Sequence, residues 1–504
     1  MFTPTVYNMT PDDVMRKKPF TRIVPSPDLT PYGHGFKEDT APEYHDGTLT
    51  YVSPTQADFM REFDQNAHKI NSEAYYPNPM SQDKETGRWY VRKLARVTVN
   101  LPEIFANQRT SMLTGNETDI KLIGGGTSQA MQDRLSSFME GWAWHDMEVA
   151  KYDLIFNNAV VGDAAIVFYL ENAKLGWRKL SYMDGDVLYP HYDFYGNLAV
   201  FGRKYSVYEK GDKVTYLDVY DKTMYVRYKF DMTKEKSGKW VMDESAAHGF
   251  PRVPVAYYRY GEPFWSGAMC DVDQIELALS QLCENNRQYA LRILYALGGE
   301  MHVKATMDGR PMQINSPDAN ARVGFLEPAD SSGSFELQLR QLIKHAYQAA
   351  HCVEAPEVKS GADMSSLTVQ MLYADVYHKS LNDAKVFQKA VNDIIELFQW
   401  GWGIETGKPS DYDLSVFRVK GFIHPYIMKS ENEEVNNISI LANSGGLPKK
   451  AVANESYKLG YGTPRNYEDI LQEEHDALVN EQAAETQARA QTKSNPVAES
   501  RDNG

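Results

Sequence analysis

Apolar positions recur along this chain in two periods, and the switches between them mark out its elements. Ser53-Pro54-Thr55 reads as a helix start, with Ala57, Phe59, Met60 and Phe63 behind it. A second helical pattern runs through Val97, Leu101, Ile104, Phe105, Met112 and Leu113, and Gly115 closes it. A third helix is predicted over 130–157, carrying Leu135, Phe138, Trp142, Met147 and Tyr152. The period then shortens. Residues 165–170, 179–182, 187–189, 198–208, 214–220, 224–230 and 251–258 are short, β-branched and aromatic, with Gly196-Asn197 and Gly211-Asp212 as hairpin punctuation. This predicts an antiparallel β block. The apolar run 159–170, interrupted by Gly162 and Asp163, reads as a strand pair.

After Pro263 the helical period returns through Ile275, Leu279, Leu282, Asn286, Tyr289 and Ile293, with Gly298-Gly299 as the stop. A short strand-and-turn insert follows, including Asp308-Gly309 and the apolar run 323–326. A second seam then starts: Phe335, Leu339, Leu342, Ala346, Ala350. Residues 352–365 have no period. A very long helix is predicted over 366–402, about 37 residues or roughly 55 Å at 1.5 Å per residue. It carries Leu367, Met371, Tyr377, Leu381, Phe387, Val391, Ile394 and Phe398, and a strand over 416–422 follows. Residues 427–480 read as small helices between the turns Asn443-Ser444-Gly445-Gly446 and Gly460-Tyr461-Gly462-Thr463-Pro464. Residues 1–50 hold seven prolines from Pro4 to Pro42 and read as an extended arm unable to form regular ladders. The tail 481–504 reads as disordered. The fold class expected is α+β.

The 504 residues are 42% hydrophobic with formal net charge −15. This is enough for a core, over roughly three units at about 150 residues each. The acidic balance argues against coating nucleic acid over the whole surface, though not against a surface past which DNA slides. Cys270, Cys283 and Cys352 are too few and too irregular for a disulfide framework or a zinc site, and fit a reducing, intracellular compartment. No targeting or membrane segment is expected.

Catalytic signatures are missing. Residues 403–410, Gly-Ile-Glu-Thr-Gly-Lys-Pro-Ser, come one residue short of a phosphate loop, with Pro409 where a Mg²⁺-holding hydroxyl belongs. No GxSxG elbow or HExxH pair occurs. Asp184, Asp186 and Asp193 near His191 could hold a cation, but read more simply as turn residues. No enzyme activity, metal or cofactor is expected.

The order of elements carries more information. Helices, a β block, a descending helix, a small β insert, an ascending helix, an irregular loop, a very long helix and a helical end follow one another. This resembles the portal proteins of tailed double-stranded-DNA bacteriophages, the head-to-tail connectors. Local patterns add to it. Val99-Asn100-Leu101-Pro102 leading to 109–116, which ends Leu113-Thr114-Gly115-Asn116, looks like the family's early helix and its close. Pro190-His191-Tyr192-Asp193 is similar to its "P-x-Y-D" strand end, and Phe250 to Val255 to its "G-x-V-P-V" strand. Residues 360–367 resemble its Ser/Gly-rich approach to the long helix, but lack the lysine of the "S-G-x-A-x-K" form. Gly445-Gly446-Leu447-Pro448, then Glu468, Glu473 and Glu474, resemble its terminal element.

The resemblance implies a wing at 51–265 and 366–425, a stem at 266–297 and 335–351, a clip at 298–334, a tunnel loop at 352–365 and a crown at 426–480. It implies a ring, dodecameric in the virion, at one capsid vertex and assembled in the host cytoplasm. The partners implied are double-stranded DNA in the channel, the major capsid protein, the terminase motor and a tail adaptor. Glu354, Pro356, Glu357, Lys359, Gly361 and Asp363 would form the tunnel loop. Arg287, Arg292, Arg340 and Lys344 on the stem would meet either DNA or neighbouring subunits. Arg310 and Arg322 would be clip contacts. At −15 per chain, twelve copies sum to roughly −180, a wall that repels phosphates and lets DNA slide. Competing readings are a tail-tube or capsid-associated scaffold protein and, more distantly, a nuclease or packaging ATPase.

Overall fold

The computed structural model describes residues 10–15, 21–24, 43–45, 48–52, 54–82, 87–123, 128–209, 211–231, 238–289, 293–297, 300–301, 314–315, 322–326, 332–354, 371–426, 431–444, 451–452 and 479. The chain divides into two compact units. One comprises Met1–Glu357 and Ala374–Tyr426, the other Val358–Tyr373 and Ile427–Gly504. The fold is a mixture of helices and antiparallel sheets, so the α+β expectation holds.

In the first unit, helices α2 (Gln56–Phe63), α3 (Leu101–Thr114), α4 (Gln129–Trp144) and α5 (Met147–Val161) precede the two sheets built from residues 163–259, with short strands between them: β4 (Met80–Gln82) pairs with β5 (Trp89–Val91), and β6 (Asp119–Leu122) pairs with the strand Val419–Phe422. Strands β7 (Asp163–Glu171), β8 (Lys174–Leu180) and β14 (Val255–Arg259) form a three-stranded sheet in the order β14-β7-β8. Strands β9 (Val187–Tyr192), β10 (Leu198–Glu209), β11 (Asp212–Tyr220), β12 (Met224–Asp231) and β13 (Lys239–Ala247) form a five-stranded meander. Glu209 pairs with Asp212, so two residues turn the β10–β11 hairpin, and Gly211 there takes φ 98. Helices α6 (Met269–Tyr289) and α7 (Ser332–Ala349) pack together. The long helix α8 (Ala374–Glu405) buries Phe387, Val391, Ile394, Ile395 and Phe398. Its core face meets α3, α4, β7, β8 and β14, so one core joins helices and the three-stranded sheet. In the second unit the described helix is α9 (Glu431–Asn443).

Several expectations fail, each for a local reason. The predicted helix 130–157 is two helices, because the chain turns at His145-Asp146, with Asp146 at φ 52. The run 159–170 is not a strand pair but the end of α5 leading into β7. Gly162 makes this junction at φ 79, and a Cβ there would lie 3.0 Å from the Gly261 carbonyl oxygen. The 1–50 arm does form ladders: β1 (Thr21–Val24) and β2 (Glu43–His45) flank β3 (Thr48–Val52). A short helix, α1 (Pro11–Val14), seats Val14 against β10 and β11. Helix α6 ends at Tyr289 rather than at Gly298; Ile293–Leu297 is instead a strand paired with Arg322–Leu326. The long helix is described from Ala374 to Glu405, three residues past the expected end at 402; the expected start at 366 lies outside the described residues, as do all of 355–370.

Segment 403–410 is no phosphate loop. It is a helix C-terminus in which the Gly407 amide donates to the Ile404 carbonyl and the Lys408 amide to that of Gly403, the Schellman arrangement.

Candidate functional site

The richest polar constellation lies where α6, from Asp273 to Glu284, meets the segment 62–99. Helix α6 carries Asp273, Glu276, Ser280 and Glu284 on one face, all buried. The Val99 amide donates to Glu276 Oε1 at 2.9 Å, the Val97 amide to Ser280 Oγ at 2.9 Å and the Ala95 amide to Glu284 Oε2 at 3.2 Å. Four helical residues advance about 6.0 Å. Two extended residues advance about 6.6 Å. Acceptors four apart on a helix therefore match amides two apart on a neighbouring segment. The same device joins α8 to strand β19 (Val419–Phe422). Gln388 Oε1 accepts from the Ile423 amide at 3.3 Å, and Asn392 Oδ1 from the Gly421 amide at 3.1 Å.

His68 and Glu276 have fully buried side chains 2.5 Å apart. Nδ1 of His68 faces the Glu276 carboxylate and Nε2 faces the Glu62 carbonyl oxygen at 2.9 Å. An ionised carboxylate and a carbonyl oxygen only accept, so both contacts favour a ring with protons on both nitrogens, the imidazolium. Burial alone would lower the His68 pKa; the hydrogen bond and charge of Glu276 outweigh it and hold the pKa above the ordinary value. Lys69 Nζ donates to Asp273 at 2.6 Å, and burial holds that carboxyl above the usual range. Trp265 Nε1 donates to Glu62 at 3.3 Å, and burial raises the Glu62 carboxyl too. Arg96 donates to the carbonyls of Ile70 and Tyr76 at 2.8 and 2.9 Å, tying the segment to itself. A second knot lies on α8. Arg109 is buried between the Phe264 carbonyl, at 2.9 Å, and Asp383, with its guanidinium 3.9 Å from the Phe264 ring centre. Lys379 and the Tyr260 hydroxyl also donate to Asp383, at 3.0 and 2.9 Å. These groups are paired with one another, and among the described residues no cluster has the makings of a metal site.

The residues singled out from sequence fall elsewhere. Arg287 is exposed and pairs with Glu284 on its own helix at 3.6 Å; Arg340 pairs with Glu336 at 2.7 Å. Lys344 is exposed. Glu354 ends a described stretch, while Pro356, Glu357, Lys359, Gly361, Asp363, Arg292 and Arg310 lie outside the described residues. Arg322 opens the strand that pairs with Ile293–Leu297. Of the two amphipathic seams on α6 and α7, Ile275, Ala346 and Ala350 are buried inside the chain, so these ends of the seams are spent on its own core. Asp186 is held by Arg203 at 2.7 Å, Asp193 accepts from the Tyr195 and Asn197 amides, and His191 Nε2 donates to the Val14 carbonyl. Asp184 closes the short turn 182–184 and pairs with Lys179 at 3.7 Å, so each of these side chains is engaged in local contacts.

Sequence reasoning missed the α6 constellation. The 3-4-4 spacing of Asp273, Glu276, Ser280 and Glu284 was the available signal. The Arg109 to Gly115 motif does end a helix, with the Gly115 amide donating to the Ser111 carbonyl.

No curated protein matches the chain. A family model described as "Phage portal protein, SPP1 Gp6-like" matches residues 61–459, most of the chain and every element of the α6 joint from His68 to Glu284. The chain belongs to the SPP1 Gp6-like family of phage portal proteins.

Proposed function

We propose that this chain is the subunit of a closed ring at one capsid vertex. Its bore is the channel for DNA packaging and ejection, and its outer end is the platform for motor and tail adaptor. The observation that carries this is the family match over 61–459, which takes in every region of the reading apart from residues 51–60 and 460–480. In this reading 51–265 and 366–425 are the wing, 266–297 and 335–351 the stem, 298–334 the clip, 352–365 the tunnel loop and 426–480 the crown. Two features support it. Stem helices α6 and α7 bury their wing-side ends but leave Arg287, Glu336 and Leu337 exposed farther along. The buried α6 joint ties the stem to segment 62–99 through side chains rather than sheet ladders, which gives a stem a stiff root.

The reading makes the loop a part that meets DNA. Glu354, Glu357 and Asp363 outnumber Lys359, so its contacts are steric rather than adhesive. The experiment replaces residues 357–363 by a Gly-Ser bridge in the phage. Rings should form while packaging or retention of DNA fails. Particles that fill and hold genomes at the normal level would make the segment a plain linker. Charge reversal at Arg310 and Arg322 should weaken pull-down of motor or adaptor with the ring intact; unchanged binding moves that interface off the clip.

A further inference from the structure

The outward face of α8 and strand β19 enclose a groove of about 680 Å³. Its floor is fixed by the Gln388 and Asn392 bonds to the Ile423 and Gly421 amides. Two carboxylates in it are already spent: Arg252 holds Asp393 at 3.1 Å and Glu396 at 3.2 Å. What remains is positive. Lys385, Lys389, Arg418 and Lys420 are exposed, and none forms an ion pair among the described residues. Ile123 and Leu414, 43% and 45% exposed, give the groove an apolar lip. With one guanidinium set against two carboxylates, these four cations leave the groove a net positive charge of about three, which stands out in a chain of net charge −15.

The opposite chemistry is found at the corner where α4 turns into α5. Trp144 is 80% exposed there, and Val149 and Tyr152 on the first turns of α5 are 49% and 39% exposed. Glu140 lies one turn before Trp144, Asp146 sits at the corner and Asp153 follows Tyr152. None of these three forms an ion pair among the described residues. Of the lysines nearby, Lys151 is buried and bound to Glu148 and the Asn116 carbonyl, and Lys179, which also acts on Asp153, pairs with Asp184 at 3.7 Å.

We propose that the α4–α5 corner of one copy docks into the α8–β19 groove of the next. This rests on the ring reading and names the contact that builds the ring. Two copies of net charge −15 repel on average, so association needs a place where unlike charges meet. A two-fold contact centred on the groove would set groove against groove, lysine on lysine. A head-to-tail contact sets groove against corner, and head-to-tail contacts are those that close into rings. Trp144 supplies the desolvated anchor against Ile123 and Leu414, and the surrounding charges set orientation and encounter rate.

The test uses the full chain and three exposed-site variants: Lys385→Glu/Lys389→Glu, Glu140→Lys/Asp146→Lys, and all four changes together. Mass photometry reads assembly, and urea midpoints equal to wild type certify folding. Each double variant should raise the concentration for half-assembly about tenfold or more. The fourfold variant should restore assembly, because the charges again complement one another. Trp144→Ser should weaken assembly without any change of charge, and serves if a charge variant fails to fold. Rings from both double variants at wild-type concentration overturn the contact and leave the ring reading standing. Loss in both without rescue in the fourfold variant also overturns it. Intact rings that lose affinity for a 20-base-pair duplex in the lysine variant assign the groove to nucleic acid instead. A wild-type chain that never assembles removes the ring and this contact together.

Discussion

Glu276→Leu probes the joint most sharply. The substitution keeps volume near constant but removes the acceptor that serves both His68 Nδ1 and the Val99 amide. Stranding one member of a fully buried ion pair costs about 3–5 kcal/mol. An orphaned buried amide adds about 1–3 kcal/mol. The terms overlap, because the stranded imidazole can shed its proton, so the single change should cost about 4 kcal/mol in all. Adding His68→Leu removes the stranded charge and leaves chiefly the orphaned amide. The double variant should then be more stable than Glu276→Leu by about 2 kcal/mol. Urea unfolding at fixed protein concentration, followed by tryptophan fluorescence, reads both values; Trp265 lies within the network through its bond to Glu62. A single variant within about 1 kcal/mol of wild type would refute the ion-pair account. So would a double variant less stable than the single.

The same pair predicts a pH dependence. The folded pKa of His68 lies above its ordinary 6.5, so the pair's contribution is complete below that value and is lost as pH rises through the folded pKa. The wild-type urea midpoint should fall on the alkaline side more than that of His68→Leu/Glu276→Leu, and parallel curves would contradict this. Arg109→Met should cost about 2–3 kcal/mol rather than the full penalty, because Lys379 and Tyr260 still serve Asp383. Lys379→Met made in that background should cost at least 1 kcal/mol more than alone, read by the same unfolding curves. Cys352 is buried, and burial pushes its thiol up to about 12, so it should react last with a disulfide reagent. Cys270 and Cys283, each partly exposed, should titrate in native protein and Cys352 only in denaturant.

The β block was legible because its strands alternate and its glycines punctuate. Leu198 to Phe230 resolves into β10, β11 and β12 nearly as the pattern divides it. Strand β13 was not, because an edge strand reading Lys-Trp-Val-Met-Asp-Glu-Ser-Ala-Ala groups its apolar and polar residues in blocks and shows no alternation. The break between α4 and α5 leaves only a slight trace, the five-residue step from Trp142 to Met147, which puts Met147 about 140° off the face of Phe138 and Trp142. Ile293–Leu297 fits either period: Ile293 falls four after Tyr289, yet five apolar residues in a row are also a strand, and pairing with 322–326 decides. At the joint, the helix half of the device is visible as the spacing 276, 280, 284. The amide half is not. Residues 95, 97 and 99 lie 177 to 189 residues away, and no local pattern records which segment a polar helix face meets.

The central claim is that copies of this chain close into a ring with an open bore. Electron microscopy of the purified full-length protein, viewed face-on, with mass photometry of the same sample, tests it directly. The account predicts closed rings around a central channel, at many times the 57.2 kDa of one chain. A population that stays strictly monomeric at micromolar concentration, in the purified sample and inside capsids alike, would contradict it.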